Sequence, residues 1–114
     1  MKIDKSLMTG STTMLILKLL SMEDMYGYQM IEQLEKRSEN VFTLKAGTLY
    51  PLLHKLEQQG ILTSCEEQSE NQKMRKYYRI TEEGRRIFDE KQKEWSTYTS
   101  VVNKILGGFG FNEG

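Results

Sequence analysis

Gly47-Thr48-Leu49-Tyr50-Pro51-Leu52-Leu53-His54-Lys55-Leu56-Glu57, stopped shortly afterwards by Gly60 and followed by Ile61-Leu62-Thr63-Ser64-Cys65, is a helix that runs into a strand. Leu49, Leu52, Leu53 and Leu56 recur at spacings of three and four, the period of a helix with one apolar face. Glycine just past the last periodic residue is a usual helix stop. Pro51 is expected in the first turn or so, where a missing N–H costs little. After Gly60 the pattern changes: residues 61–65 and 74–80 are rich in strand-favouring types, and the stretch between them, 66–73, is wholly polar. This predicts a hairpin with a long loop. If Ile80 faces the core, a period of two puts Tyr78 and Lys76 on its side and Arg79, Tyr77 and Arg75 on the other.

Working outward, residues 4–21 carry Leu7 and the apolar run from Met14 to Leu20, which predicts one helix buried on more than one side. Residues 25–38 place Met30, Ile31 and Leu34 on one helical face and Glu32, Glu35, Lys36 and Arg37 on the other, and Asn40 closes the segment. Downstream, Thr81 followed by Glu82 and Glu83 is a hydroxyl cap with two carboxylates at the positive end of a helix dipole. That helix can continue to about Leu106. The expected fold class is mainly α with a small β-hairpin. A winged helix-turn-helix DNA-binding domain spans residues 1–80, a long C-terminal dimerisation helix 81–106, and a flexible, glycine-rich tail 107–114.

With 114 residues the chain is expected to form one domain. Sixteen Lys and Arg balance sixteen Asp and Glu, so attraction to a polyanion must come from local clustering of charge. A lone cysteine, Cys65, excludes an internal disulfide framework and any zinc site built from two or more thiolates. The run from Met14 to Leu20 is too short for a signal peptide and contains Lys18, and the only alanine is Ala46, so there is no A-x-A cleavage site. No stretch approaches the length of a membrane span. The expectation is a cytoplasmic protein with no membrane partner, no cofactor and no metal.

Local charge does cluster. Residues 73–79 hold four bases and no acid, while Glu66, Glu67 and Glu70 crowd the start of the preceding loop. Lys45, Thr48, Tyr50, His54 and Lys55 supply donors along the third helix, whose start is free of acids and so suits phosphates. Gly47 permits close approach of the backbone to another surface. The expected DNA-binding residues are therefore Lys45, Gly47, Thr48, Tyr50, His54 and Lys55 on the helix, with Lys73, Arg75, Lys76 and Tyr77 on the wing. The alternative is a winged-helix protein adaptor that does not bind DNA. Enzymatic chemistry has no foothold: there is no phosphate-binding glycine loop and no His/Cys/Asp cluster, and neither His54 nor Cys65 has a second His or Cys beside it.

Tyr26-Gly27-Tyr28, the stretch from Gly47 to Glu57 with Gly60-Ile61-Leu62, and Arg75-Lys76-Tyr77-Tyr78-Arg79-Ile80-Thr81 together resemble the PadR family of bacterial transcriptional regulators, most closely its small subfamily with a single C-terminal helix. The likeness covers about residues 5–106. It implies a homodimeric repressor bound to double-stranded DNA at a two-fold symmetric operator, with the last helix, helped by the first, making the dimer.

In that last helix Phe88, Trp95 and Val102 recur every seven residues, interleaved with Lys91, Tyr98 and Ile105, a heptad seam expected to form the dimer interface. In one branch of the family a tryptophan in the last helix faces its symmetry mate and sandwiches flat aromatic drugs. Trp95 is similarly placed, so it is the candidate ligand-binding residue for a small, planar aromatic effector at the interface. A plain interface anchor is the competing reading. Cys65 is expected to be a buried or half-buried strand residue, and Met8, Met14, Met22, Met25 and Met30 to fill the core.

Overall fold

The computed structural model describes residues 3–107; the expected tail lies, beyond Gly107, outside the described residues. Helices α1 (Lys5–Thr9), α2 (Thr12–Met22), α3 (Gly27–Arg37) and α4 (Ala46–Gln58) precede strands β2 (Leu62–Gln68) and β3 (Met74–Ile80) and the long helix α5 (Glu82–Ile105), with a two-residue strand β1 (Met25–Tyr26) between α2 and α3. The sheet is antiparallel in the order β1-β3-β2.

Two of these elements differ from the sequence expectation. The single helix expected over 4–21 is broken at Gly10-Ser11, because the hydroxyls of Ser11 and Thr12 both donate to the Met8 carbonyl, at 3.0 and 3.2 Å, and so compete with the backbone ladder beside a residue of poor helix propensity. The second helix starts at Gly27, two residues late, since Met25 and Tyr26 pair with Tyr78 and Tyr77 as a third strand. Its end is as expected near Asn40: the Asn40 N–H bonds back to the Glu35 carbonyl at 2.8 Å while Glu39 and Asn40 take positive φ.

Helix α4 ends in the same manner. Gly60 has φ +77°, and the N–H groups of Ile61 and Gly60 bond back to the carbonyls of Leu56 and Glu57, so the chain turns sharply into β2 with Ile61 buried beneath it. Pro51 lies in the second turn of α4, not the first, so the Gly47 carbonyl lacks its usual i→i−4 donor. The wing's loop is shorter than expected, residues 69–73, because Glu66 and Glu67 stand opposite Lys76 and Arg75 in the β2–β3 register and opposite charges favour continued pairing. Thr81 caps α5 as expected, its Oγ1 accepting from the Gly84 N–H at 2.9 Å and donating to the Gly60 carbonyl at 2.7 Å.

Ile16, Leu17, Leu19 and Leu20 of α2 form the centre of the core, closed by Met30 and Leu34 of α3, Leu49, Leu53 and Leu56 of α4, Tyr78 and Ile80 of β3, and Phe88. Met25 and Met30 fill it as expected, whereas Met22 stands exposed at the end of α2. Gly84 lets α5 lie against the Ile61 carbonyl, which a Cβ would strike. Only Gly84 and Phe88 of α5 are buried; the helix then runs on past α1 and the start of α2, which Lys91, Glu94, Trp95 and Tyr98 face across a cleft. No described helix is long and apolar enough to cross a membrane.

Candidate nucleic-acid interface

Helix α4 turns Leu49, Leu53 and Leu56 into the core, with Leu52 partly buried beside them, and leaves Lys45, Gly47, Thr48, His54 and Lys55 exposed in one strip. A Cβ on Gly47 would meet nothing within 4 Å, so this chain's own packing does not require glycine there. The strip carries no acid and starts at a helix N-terminus, where backbone N–H groups and the dipole add to the side-chain charge.

Tyr50 joins this strip to the wing. Its phenol lies across the backbone of Gly27, where a Cβ would collide with the ring, and its ring meets Tyr28 edge-on at 6.2 Å. Partial burial, with Tyr28 next, holds its pKa above the ordinary phenol value, so it is a neutral O–H donor at physiological pH. Gly27 thus has a packing reason, and it opens α3, whose first turn is tied by the Tyr26 N–H donating to Gln29 Oε1 at 3.3 Å.

On the outer face of the sheet, Tyr26 is gripped from two sides. Tyr77, its register partner, meets its ring edge-on at 5.3 Å, and the Arg75 guanidinium sits 4.8 Å from its centroid. The Arg75 Nε is buried and has no hydrogen-bond partner among the described residues. Desolvation, then Tyr26, raises the Tyr77 pKa, so this phenol too stays protonated. Tyr26, Gly27, Tyr28, Tyr50, Arg75 and Lys76 share an open recess of about 390 Å³ at the N-terminus of α3.

The four bases of the wing strand are not equivalent. Arg79 is committed to Asp24, donating through Nε and Nη2 to Oδ2 at 3.0 and 2.8 Å, and this raises its pKa. Lys76 lies on the core side of the strand, as its parity requires. It reaches Glu57 at 3.6 Å, with its ammonium 5.5 Å from the Tyr78 ring centroid. Lys73 at the wing tip and Arg75 form no salt bridge among the described residues, nor do Lys45 and Lys55. The pairings of Arg79 with Asp24 and of Lys76 with Glu57 escaped the sequence reading, because only the fold brings these partners together. Cys65 is exposed, contrary to expectation, because alternation from the buried Leu62 turns it, with its register partner Tyr77, to the outer face of the sheet; its thiol donates to Glu67 Oε2 at 3.1 Å, which raises its pKa.

The seam of α5 is divided by the fold. Phe88 turns into the subunit's own core, whereas Tyr98 and Ile105 are exposed, Trp95 is 43% exposed, and Lys91 and Val102 are half-buried. Leu106 extends the exposed stripe, and Leu7 on α1 stands bare beside it. Between α1, the start of α2 and α5 lies a cleft of about 460 Å³, lined by Leu7, Met14, Lys91, Glu94, Trp95 and Tyr98.

A helix-turn-helix made of α3 and α4, backed by α2 and flanked by a two-stranded wing, defines a winged-helix regulator of transcription. The Transcriptional regulator PadR-like family matches residues 16–90, and the chain belongs to that family. It is 32% identical to a transcriptional regulator from Clostridium thermocellum whose structure superposes with a TM-score of 0.82 over 90% of this chain and 96% of that one. A PadR family transcriptional regulator from Eggerthella lenta is 37% identical, with a TM-score of 0.79 over 90% and 87% of the two chains. Among curated relatives, transcriptional regulator Rv3488 of Mycobacterium tuberculosis is 32% identical over 65% of each chain. Transcriptional regulator YqjI of Escherichia coli is 29% identical over 75% of this chain but only 39% of its own length. Proteins of this family and fold are transcriptional regulators, not enzymes.

Proposed function

We propose that the protein is a homodimeric repressor that acts in the cytoplasm, binding a two-fold symmetric operator and leaving it when a small effector occupies the dimer interface. The observation that carries the DNA reading is the exposed strip of α4, Lys45, Gly47, Thr48, His54 and Lys55, which holds no acid and begins at a helix N-terminus. Phosphate oxygens there would accept from the free N–H groups of the helix start and from the lysine ammonium groups. The exposed strip of α4 is the part that enters the major groove, and the wing tip with Lys73 follows the backbone.

The dimer reading is supported by the bare stripe of Trp95, Tyr98, Ile105 and Leu106, which a second copy of α5 would cover. The cleft beside Trp95 and Tyr98 supports an effector of planar aromatic chemistry, since two rings there offer stacking faces. Such a molecule needs only to prefer one spacing of the two reading heads to shift the population.

Titration of a labelled duplex at increasing salt tests this function. Lys45, Lys55, Lys73 and Arg75 from two subunits would neutralise roughly six to eight phosphates, for a log–log slope of about −5 to −7. Arg75→Ala should reduce the slope by about 0.9 per subunit. A slope near zero for the unaltered protein refutes DNA binding and leaves the adaptor reading.

A further inference from the structure

Glu57 is the one acid in the reading helix, and it lies on the flank of α4 turned to the wing, two turns beyond Tyr50. Its carboxylate has partners on both wing strands: Ser64 of β2 donates to Oε2 at 2.6 Å, and the Lys76 ammonium of β3 stands 3.6 Å from Oε1. Exposed ion pairs usually hold little. This one is held from three sides, with the Glu57 side chain 31% exposed, a short hydroxyl bond on the carboxylate and the Tyr78 ring beside the ammonium. Lys76 takes this partner although Glu66 stands opposite it in the strand register.

We propose that Glu57 limits how tightly the protein holds DNA: it pins the wing to the reading helix through Ser64 and withholds the Lys76 charge from DNA phosphates. A lysine on a phosphate strengthens binding to every sequence alike. Withholding it therefore lowers affinity for every sequence by the same factor and leaves the ratio between sequences, set by base-edge contacts on α4, unchanged. The inference rests on the DNA-binding reading above.

The two bonds of Glu57 are separable, because Glu57→Gln keeps an acceptor for Ser64 and loses the charge that holds Lys76. Binding of the full chain to a labelled random-sequence duplex of ~30 base pairs, about three turns, is measured across a salt series for the unaltered protein, E57Q, K76A and the double variant. E57Q should steepen the log–log slope by about 0.9 per subunit as Lys76 reaches a phosphate. K76A should leave the unaltered slope in place, and E57Q/K76A should return to it. An unchanged slope in E57Q overturns the inference, as does a slope in K76A flattened by about 0.9 per subunit. Lys76 is half exposed, so K76A decides the matter even if E57Q fails to fold. Absence of any binding by the unaltered protein refutes the DNA reading itself, whereas binding with unresponsive slopes refutes only the role of Glu57.

Discussion

Tyr98→Ala should dissociate the protein without unfolding it. In the single subunit Tyr98 is 62% exposed, and its one aromatic neighbour on the helix, Trp95, lies 6.4 Å away. A tyrosine offers roughly 200 Å² of burial. About 120 Å² per subunit therefore awaits cover, equivalent to ~3 kcal/mol at ~25 cal/mol per Å². A two-fold interface would count the residue twice, and the ordering costs of association leave about half of that sum, ~3 kcal/mol for the dimer. At about 1.4 kcal/mol per tenfold this is roughly a hundredfold in the dissociation constant. Sedimentation velocity over a concentration series reads the shift directly. Thermal unfolding monitored by circular dichroism is the control, because alanine is the better helix former and no intramolecular core contact is removed. An unchanged dissociation constant with an intact fold would refute the α5 stripe as the dimer interface, and so would an unaltered protein that is monomeric throughout.

Thr81→Ala removes both the hydroxyl cap of α5 and the bond to the Gly60 carbonyl; a loss of about 1–2 kcal/mol in urea unfolding is expected, and a change below ~0.5 kcal/mol, the lower end for lost caps, would show the cap to be idle. Glu57 should make stability depend on pH in the acid range. The Ser64 hydroxyl, opposed by burial and reinforced by Lys76 and the nearby His54, lowers its pKa below the ordinary carboxylate value. A lowered folded pKa means stabilisation that is present above the unfolded value and is lost as pH falls through the folded one. Glu83, lowered by Arg86, acts in the same direction elsewhere, so the Glu57 part is read as the stability difference from Glu57→Gln. That difference should shrink between neutral pH and pH 3, and a difference constant over this range would contradict the assignment.

Much of the fold is legible in local pattern. The leucines of α4, the change of period after Gly60, the alternation of residues 74–80 and the Thr81 cap are properties of neighbouring residues, and the elements they define stand where the pattern puts them. The basic strand and the acid-free start of α4 were legible for the same reason. Where charges end up was not. Residues 73–79 read as four bases with no acid, split by parity between two faces, yet Arg79 answers Asp24 and Lys76 answers Glu57, partners far apart in sequence that no window contains. The pairing of β1 escaped detection because two residues are too few to show a period.

What the sequence determined by itself is therefore the kind and order of elements, since periodicity, caps and stops act over a turn or a strand. Tertiary structure alone decided which surfaces remain for partners. Phe88 shares a heptad row with Trp95 and Val102, but docking of α5 at Gly84 draws Phe88 into the core and carries the next turns away from it. Helical spacing places side chains on a face, whereas burial depends on how far the neighbouring body extends beneath that face. The same physics left Arg75 with an unsatisfied donor and gave Lys76 an intramolecular partner, though the two are adjacent, because successive strand residues point to opposite faces and only one of those faces meets α4.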